Sequence, residues 1–389
     1  MRHYSSQTDD DQICDMPCQS SVSSLVRPFH ELDKDRFLIL LPAKNGINNQ
    51  LQCLTVAANL AIAYNRTLML ERNAYVGSYH GEDPIPFEDL FDAPNARLTI
   101  ALRETLPSVT ARVDAYNPEI VATTSILLDP NPSITYLGLA CSYGDIHHSL
   151  PESASHRDDV LLPLNPIYRK LAMQVMDSIS HKVPPSASGG FRLLGIHVRQ
   201  GDLKGYPAFI CSETGYPRLS AFVEDGSWLA ACTNERDERL TWNLLFSHLR
   251  NCGDPGIPLC SKDYDAIFVA TNDVKYVQSW NIPNLFVLAD FPFVRETFCC
   301  TKCNHIKDFL VEEMMLVLSH SFQPSAPSSI TDMVLHQRLE EHGRENRDVD
   351  LYKAYDNLIL RLKEERKGNI INWKRLAEYA EAMKQSNQD

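Results

Sequence analysis

The sequence lacks an excess of positive charge. Its 389 residues include 37 lysines and arginines against 50 aspartates and glutamates, which gives a formal net charge of -13 at pH 7. Binding along a nucleic-acid backbone needs a basic face, because every phosphate carries negative charge. The composition therefore predicts no nucleic-acid partner, although one well-placed arginine can still hold a single phosphate group.

Long apolar runs are also missing. No stretch of 18 consecutive apolar residues occurs, which predicts a chain without a transmembrane segment. The polar start, residues 1–21, has no apolar region of the kind found in signal peptides. We therefore expect either a cytoplasmic protein or a sequence that lacks its targeting segment.

Several catalytic motifs are absent. The sequence contains no Gly-x-Ser-x-Gly elbow, Walker loop or Gly-x-Gly-x-x-Gly fingerprint, which argues against hydrolase, nucleoside-triphosphatase and dinucleotide-binding functions. The pair Cys300 and Cys303 has no second pair at zinc-binding spacing. Asp263 and Asp265 precede a predicted strand, which is the wrong end for a ligand. The sequence thus predicts no bound metal and no cofactor.

Cysteine, by contrast, is abundant. Eleven cysteines are many for a cytosolic enzyme, and they favour disulfide bonds in a protein of the secretory pathway. Reduced, partly buried thiols are the alternative. The single acceptor sequon, which begins at Asn65, is compatible with a glycoprotein. Cysteine content and the polar N-terminus therefore favour different compartments.

Apolar segments in both halves of the chain predict an α/β fold. Residues 36–43 are apolar without alternation, as strands of a parallel sheet are, and residues 67–71 are predicted to form the next strand. The segment between them has apolar residues at helical spacing. Further strands are predicted at 191–198, 266–271 and 284–289. This alternation predicts two doubly wound, Rossmann-like domains that face each other across a cleft.

Composition suggests where these domains begin and end. Residues 181–190 are rich in proline, serine and glycine, which is typical of a linker. Residues 203–262 form a cysteine- and glycine-containing insertion. The predicted units are a disordered leader (1–33), an N-terminal domain (34–185), a C-terminal domain (186–345) and a helical tail packed on the body (346–389).

A cluster of small and amide residues lies between the first predicted strand and helix. It comprises Gly46, Asn48, Asn49 and Gln50. A glycine lets a ligand approach the backbone closely, and the start of a helix offers free N–H groups to an anion. Asn48 or Asn49 as a simple helix cap is the alternative, but one amide would be enough for that purpose.

Two further polar stretches follow predicted strands. His197, Arg199 and Asp202 lie at the end of the strand at 191–198, and the planar guanidinium of Arg199 suits a phosphate. The alternative is a surface ion pair between Arg199 and Asp202. Ser328 and Ser329 precede an apolar helical segment and form either a second anion-binding site or an ordinary helix cap. Together the three stretches predict a cleft for a nucleotide-linked group, held without a metal.

The three stretches, in this order and spacing, resemble the GDP-fucose protein O-fucosyltransferase family. Residues 45–70 are similar to its first motif, a Gly-x-Asn-x-Gln turn followed by a helix and Asn-Arg-Thr-Leu. Residues 197–202 are similar to its His-x-Arg motif with a following acid. Residues 328–338 are similar to its Ser-Ser-Phe-Thr segment, which ends in an arginine.

The resemblance implies a GT-B fold and an inverting, metal-independent transfer of fucose from GDP-fucose to a protein or glycan hydroxyl. It also implies that the protein is located in the lumen of the endoplasmic reticulum or Golgi. Carried over by position, Asn49 lies near the reacting centre, while His197 and Arg199 hold the nucleotide sugar, Arg199 on its diphosphate. Asp202 is the best candidate for a general base. The remaining implied donor contacts are Ser328, Ser329 and Ile330 at the phosphate and base region, and Glu312 at the guanine edge.

Two departures from the family pattern leave alternatives open. Gly46 stands where the family has an arginine, and residues 321–329 lack the family's Phe-Ile-Gly-Asn before the serines. One alternative is a catalytically degenerate relative that binds a nucleotide sugar or a glycoprotein without turnover. Another is an active transferase that uses a different nucleotide sugar.

Overall fold

The computed structural model describes sixteen stretches of the chain, and every structural statement below concerns them. They are residues 35–41, 46–63, 65–72, 85–92, 98, 100–109, 111–114, 136–140, 162–184, 190–198, 220–222, 228–230, 261–298, 304–323, 325–326 and 329–342. Three candidate site residues, Arg199, Asp202 and Ser328, lie outside these residues. So do the predicted leader, the tail and most of the insertion.

Strands and helices alternate along the described chain. In chain order, the strands are β1 (Phe37–Leu40), β2 (Thr67–Glu71), β3 (Ile100–Arg103), β4 (Ala111–Asp114), β5 (Tyr136–Ala140), β6 (Leu193–Val198), β7 (Ser220–Phe222), β8 (Trp228–Ala230), β9 (Ala266–Thr271), β10 (Leu285–Phe286), β11 (Ser321–Gln323) and β12 (Ser325–Ala326). The helices are α1 (Ile47–Ala63), α2 (Phe87–Leu90), α3 (Pro166–Lys182), α4 (Val274–Gln278), α5 (Phe293–Thr297), α6 (Asn304–Leu318) and α7 (Ser329–His342).

The first sheet is parallel, with strand order β3-β2-β1-β5-β4. Its central strand β1 pairs Phe37 with Thr67 on one side and with Tyr136 on the other. The prediction of strand 67–71 is confirmed to the residue, whereas the strand predicted at 36–43 is limited to Phe37–Leu40. Helix α1 packs on this sheet through Leu51, Leu54 and other buried apolar residues at helical spacing.

The second sheet is also parallel, with strand order β10-β9-β6-β11. Every residue of β6 is buried, and all of them except His197 are apolar or glycine, as is typical of a strand covered on both faces. Along β9, Phe268 contributes to one apolar cluster and its neighbours Ile267 and Val269 contribute to another, so both faces of the sheet are covered. A small antiparallel sheet has the order β12-β7-β8.

The sheets confirm the α/β prediction. The division between two domains near residue 185 stays a prediction, because the larger apolar cluster contains residues of both parallel sheets, such as Leu38 and Phe268. An ion pair also links the two halves, with Lys307 Nζ 2.9 Å from Asp89 Oδ2. Among the described residues, no helix is both long and apolar enough to cross a bilayer.

Helix ends follow local sequence signals. The side chain of Asn165 accepts a hydrogen bond from the Ile167 amide at 3.0 Å, and Pro166 opens α3 without losing a needed donor. On α6, Ile306, Leu310 and Val317 are buried, as their helical spacing predicts. The strand predicted at 284–289 is limited to β10, since the chain enters a 3-10 helix at Leu288–Asp290.

Candidate functional site

The strand order of each parallel sheet defines a switch point. In the first sheet, β1 has β2 on one side and β5 on the other, so chain crossovers diverge at the carboxyl end of β1. In the second sheet, β6 lies between β9 and β11 and creates the same situation. Ligands of open α/β sheets bind in the crevices at such points. These two crevices are therefore the places where a ligand is expected.

The amide cluster follows the first switch point. Helix α1 begins at Ile47, and the Gln50 amide donates to the carbonyl oxygen of Gly46 at 3.2 Å. Gly46 therefore caps the helix, and Asn48 and Asn49 lie within its first turn. The alternative that one of these asparagines is the cap is wrong. The first-turn N–H groups have no partner within the helix, which suits an anion.

The side chains of this turn differ in exposure. Asn48 and Gln50 are buried, with 2% and 6% of their surface exposed, whereas Asn49 is half-buried. A Cβ atom added at Gly46 would meet no described atom within 4 Å. The described chain thus leaves space beside Gly46, and Asn49 is the first-turn amide with most access to it.

His197 connects the second and third polar stretches. It is 3% exposed near the carboxyl end of β6, and its Nδ1 lies 3.3 Å from the hydroxyl oxygen of Thr331, which is fully buried in the first turn of α7. Because α7 begins at Ser329, this contact brings the start of α7 to the end of β6. Ile330, which lies between Ser329 and Thr331 in the sequence, is half-buried and packs against the apolar core.

A buried carboxyl group connects the first and third stretches. Glu313 of α6 is 1% exposed, and its Oε1 accepts a hydrogen bond from the Gln337 side chain of α7 at 2.9 Å. Burial raises the pKa of Glu313 to about 7, and the side-chain amides of Asn48 and Gln337 oppose this rise. Residues of α1, α6 and α7 therefore meet at one carboxyl group.

Glu312 has a different environment from Glu313. Successive helical residues point about 100° apart. The half-buried Glu312 carboxyl accordingly interacts with Asp308 and Arg295, whose Nε donates to Asp308 Oδ2 at 2.8 Å. Burial and the nearby Asp308 charge raise the pKa of Glu312 to about 8, while Arg295 lowers it.

Sequence reasoning missed two buried groups. Glu313 was overlooked beside Glu312, although a second acid in the apolar segment VEEMMLVL signals a buried carboxyl group. Arg338 closed the third motif but received no role. It is fully buried, and its Nη1 donates to the carbonyl oxygens of Leu316 and Ser319 at 2.8 and 2.7 Å. Arg338 thereby joins α7 to the end of α6.

The described residues also show how possible metal ligands and cysteines are placed. In the described stretches, no group of three or more His, Cys, Asp or Glu residues is arranged to hold a metal ion. Cys53, buried in α1, takes part in a disulfide bond. The wider disulfide pattern stays a prediction, since the remaining cysteines lie outside the described residues.

Comparisons with known proteins give a limited result. No protein-family model and no curated protein matches the chain. Among solved structures, fucosyltransferase NodZ from Bradyrhizobium is similar over 78% of this chain and 93% of its own, with 13% identity and a TM-score of 0.42. POFUT1 in complex with GDP is similar over 79% of this chain and 96% of its own, with 13% identity and a TM-score of 0.46. These values assign no activity to this chain.

Proposed function

We propose that the chain is an inverting, metal-independent glycosyltransferase of GT-B architecture that moves fucose from GDP-fucose to a hydroxyl of a protein or glycan. The observation that carries this proposal is the convergence of the three polar stretches. His197 at the end of β6 contacts Thr331 in the first turn of α7, and Glu313 of α6 accepts from Gln337 farther along α7 and is affected by Asn48 in the first turn of α1. Those are the segments that would surround a nucleotide sugar.

The proposed roles follow from the charge that develops during transfer. The acceptor oxygen forms a bond to the anomeric carbon while the bond to GDP breaks, and the leaving diphosphate takes the electron pair. Arg199 and the N–H groups at the start of α7 would stabilise that charge. Asn49 would orient the sugar, and Asp202 would accept the proton of the acceptor hydroxyl. Ser328, Ser329 and Ile330 would contact the phosphates and the base.

Calorimetric titration with GDP and then UDP, both in EDTA, tests this function. We expect micromolar affinity for GDP and no detectable binding of UDP, because no metal is needed and the base is selected. Equal binding of GDP and UDP would contradict the GDP assignment. GDP binding without transfer to any acceptor would favour the degenerate relative, and no binding of either nucleotide would remove the proposal.

The position of Glu312 predicts how GDP binding depends on pH. A guanine edge presents N1–H and N2–H donors, so Glu312 must be ionised to accept both. Its pKa of about 8 means that the free protein carries the protonated form at pH 7. GDP binding should then release a proton at pH 7, and affinity should rise by up to about tenfold per pH unit below pH 8 before levelling off.

Calorimetry in two buffers of different ionisation enthalpy measures this proton release. The Glu312→Gln variant should bind GDP more weakly and lose the pH dependence, because an amide does not titrate. Glu296→Gln, an exposed residue outside the site, is the matched control and should behave like the wild type. Equal affinity of the wild type for GDP at pH 6 and pH 8 would remove Glu312 from guanine recognition.

A further inference from the structure

The buried carboxyl group of Glu313 lies where a charge is costly. Its neighbours along α6, Met314, Met315 and Leu316, are buried in the apolar core. An unpaired carboxylate in such surroundings is strongly unfavourable, so a buried acid is normally held by hydrogen bonds or kept neutral. The contacts of Glu313 therefore indicate what its carboxyl group does.

Only part of the hydrogen-bonding capacity around Glu313 is used. Its Oε1 accepts from Gln337, whereas its Oε2 is buried and, within the described chain, has no hydrogen-bond partner. Both polar side-chain atoms of Asn48 are likewise buried without a described partner. The Asn48 amide is nevertheless close enough to affect the pKa of Glu313. The buried Asn48 side chain thus offers a donor, and the buried Oε2 atom of Glu313 is an acceptor without another described partner.

We propose that Glu313 is a positioning residue, which ties Asn48 in the first turn of α1 to Gln337, the ninth residue of α7, and so fixes α1 relative to α7 beside the candidate site. Its catalytic consequence rests on the proposed function. Asn49, adjacent to Asn48, would face the sugar, and the start of α7 would face the phosphates. A displacement of about 1 Å between such groups is enough to reduce turnover by up to about a hundredfold.

Charged groups on the surrounding helices have other partners. Glu312 lies beside Asp308 and Arg295. Arg338 donates to carbonyl groups at the end of α6, and Glu341 of α7 forms an ion pair with Arg169 of α3. Glu313 is thus faced by the two amides, which donate best to its ionised form. The Asn48–Glu313–Gln337 connection, called the bridge below, should therefore strengthen as pH rises through about 7.

Kinetics of GDP-fucose transfer by four variants test this role. Glu313→Leu removes the bridge and should lower kcat at least about tenfold with little change in KM. The variant loses the relative position of α1 and α7, whereas Glu313 itself makes no proposed contact with GDP-fucose. Glu313→Gln should keep turnover within about threefold and lose the inflection near pH 7, since an amide can bridge without titrating. Asn48→Ala should lose as much as Glu313→Leu, and the double variant should lose no more.

Ser319→Ala separates positioning from a general loss of stability. Ser319 is buried at the end of α6, where its hydroxyl oxygen lies 2.7 Å from the carbonyl oxygen of Leu316 and 2.9 Å from that of Ser321, so its single hydrogen can be donated to either. Under conditions in which Ser319→Ala and Glu313→Leu are equally stable, the kcat of Ser319→Ala should stay close to the wild-type value. Equal losses in Glu313→Leu and Ser319→Ala, or multiplying losses in the double variant, would overturn the proposal.

Hydrogen exchange provides a readout that does not depend on activity. In Glu313→Leu, the hydrogen-bonded amides of α1 from Gln50 onward should exchange faster than in Ser319→Ala, because the start of α1 has lost its tie to α7. Unchanged exchange there would overturn the bridge even if transfer were detected. Faster exchange in a protein that binds no GDP would support the bridge and remove only the proposed function.

Discussion

Replacing Arg199 with alanine is expected to lower the rate of fucose transfer by roughly a hundred- to a thousandfold while the fold stays intact. As the glycosidic bond breaks, negative charge accumulates on the leaving GDP. A guanidinium already directed at the diphosphate stabilises that charge without reorganisation, and a well-placed donor of this kind contributes about 3 to 4 kcal/mol to the transition state. Lysine at this position would keep the charge and lose the two-pronged geometry, so Arg199→Lys should be impaired as well.

Initial rates with GDP-fucose and circular dichroism of the same preparations measure this effect. Arg192→Ala is a suitable control, because Arg192 precedes the opposite end of β6 and its guanidinium lies 5.4 Å from the centre of the Tyr264 ring. That variant should retain most of its transfer activity. Full activity in Arg199→Ala would exclude Arg199 from the mechanism.

Strands that are buried on both faces were the most predictable part of the fold. β6 and β9 are apolar apart from His197 and Thr271, and both were predicted because neither shows the alternation of polar and apolar residues found in half-exposed strands. Strands β3 and β4 were not predicted. They occupy the edges of the first sheet, where IALR and ARVD carry arginine or aspartate and give a weaker signal.

The candidate site was predictable as a set of segments but not as a set of contacts. Spacing along the chain indicated that the amide turn and the starts of two later segments would meet at strand ends. It could not show that His197 would contact Thr331, because the two are 134 residues apart. Nor could it distinguish Glu312 from Glu313, because a rotation of about 100° around a helix separates their surroundings.

Alignment by position also favoured residues that fit a known motif. The family pattern predicts a role for Glu312 and none for Glu313, which is the carboxyl group between α1 and α7. A purely physical criterion points to both, since each is an acid in an apolar helix and burial raises the pKa of each. Their neighbours then separate the roles, because Glu313 meets two amides and Glu312 meets a charged pair.

No role was assigned to Arg338 from the sequence. We expect it to contribute more to stability than any other such side chain. Its guanidinium is fully buried. Three carbonyl oxygens accept from its Nη1, those of Leu316, Val317 and Ser319, at 2.8, 3.0 and 2.7 Å. These carbonyls belong to the end of α6, where the negative end of the helix dipole favours a cation.

Arg338→Ala should therefore lower the free energy of unfolding by about 3 to 5 kcal/mol, because it leaves several buried carbonyl groups without a donor and opens a cavity. Urea denaturation followed by tryptophan fluorescence measures the loss. Arg169→Ala is the matched control, since that arginine is paired with Glu341 but remains about half-exposed, with 43% of its side chain accessible. Its loss should stay below about 1 kcal/mol.

The consequence for function follows from where Arg338 lies. It adjoins Gln337 on α7, and the same helix carries Thr331, so loosening α7 from the end of α6 would disturb both connections of the candidate site. GDP affinity of Arg338→Lys, which keeps the charge but has fewer donors to share among the carbonyls, should fall together with its stability. Equal stability losses in Arg338→Ala and Arg169→Ala would show that the buried guanidinium does not anchor α7.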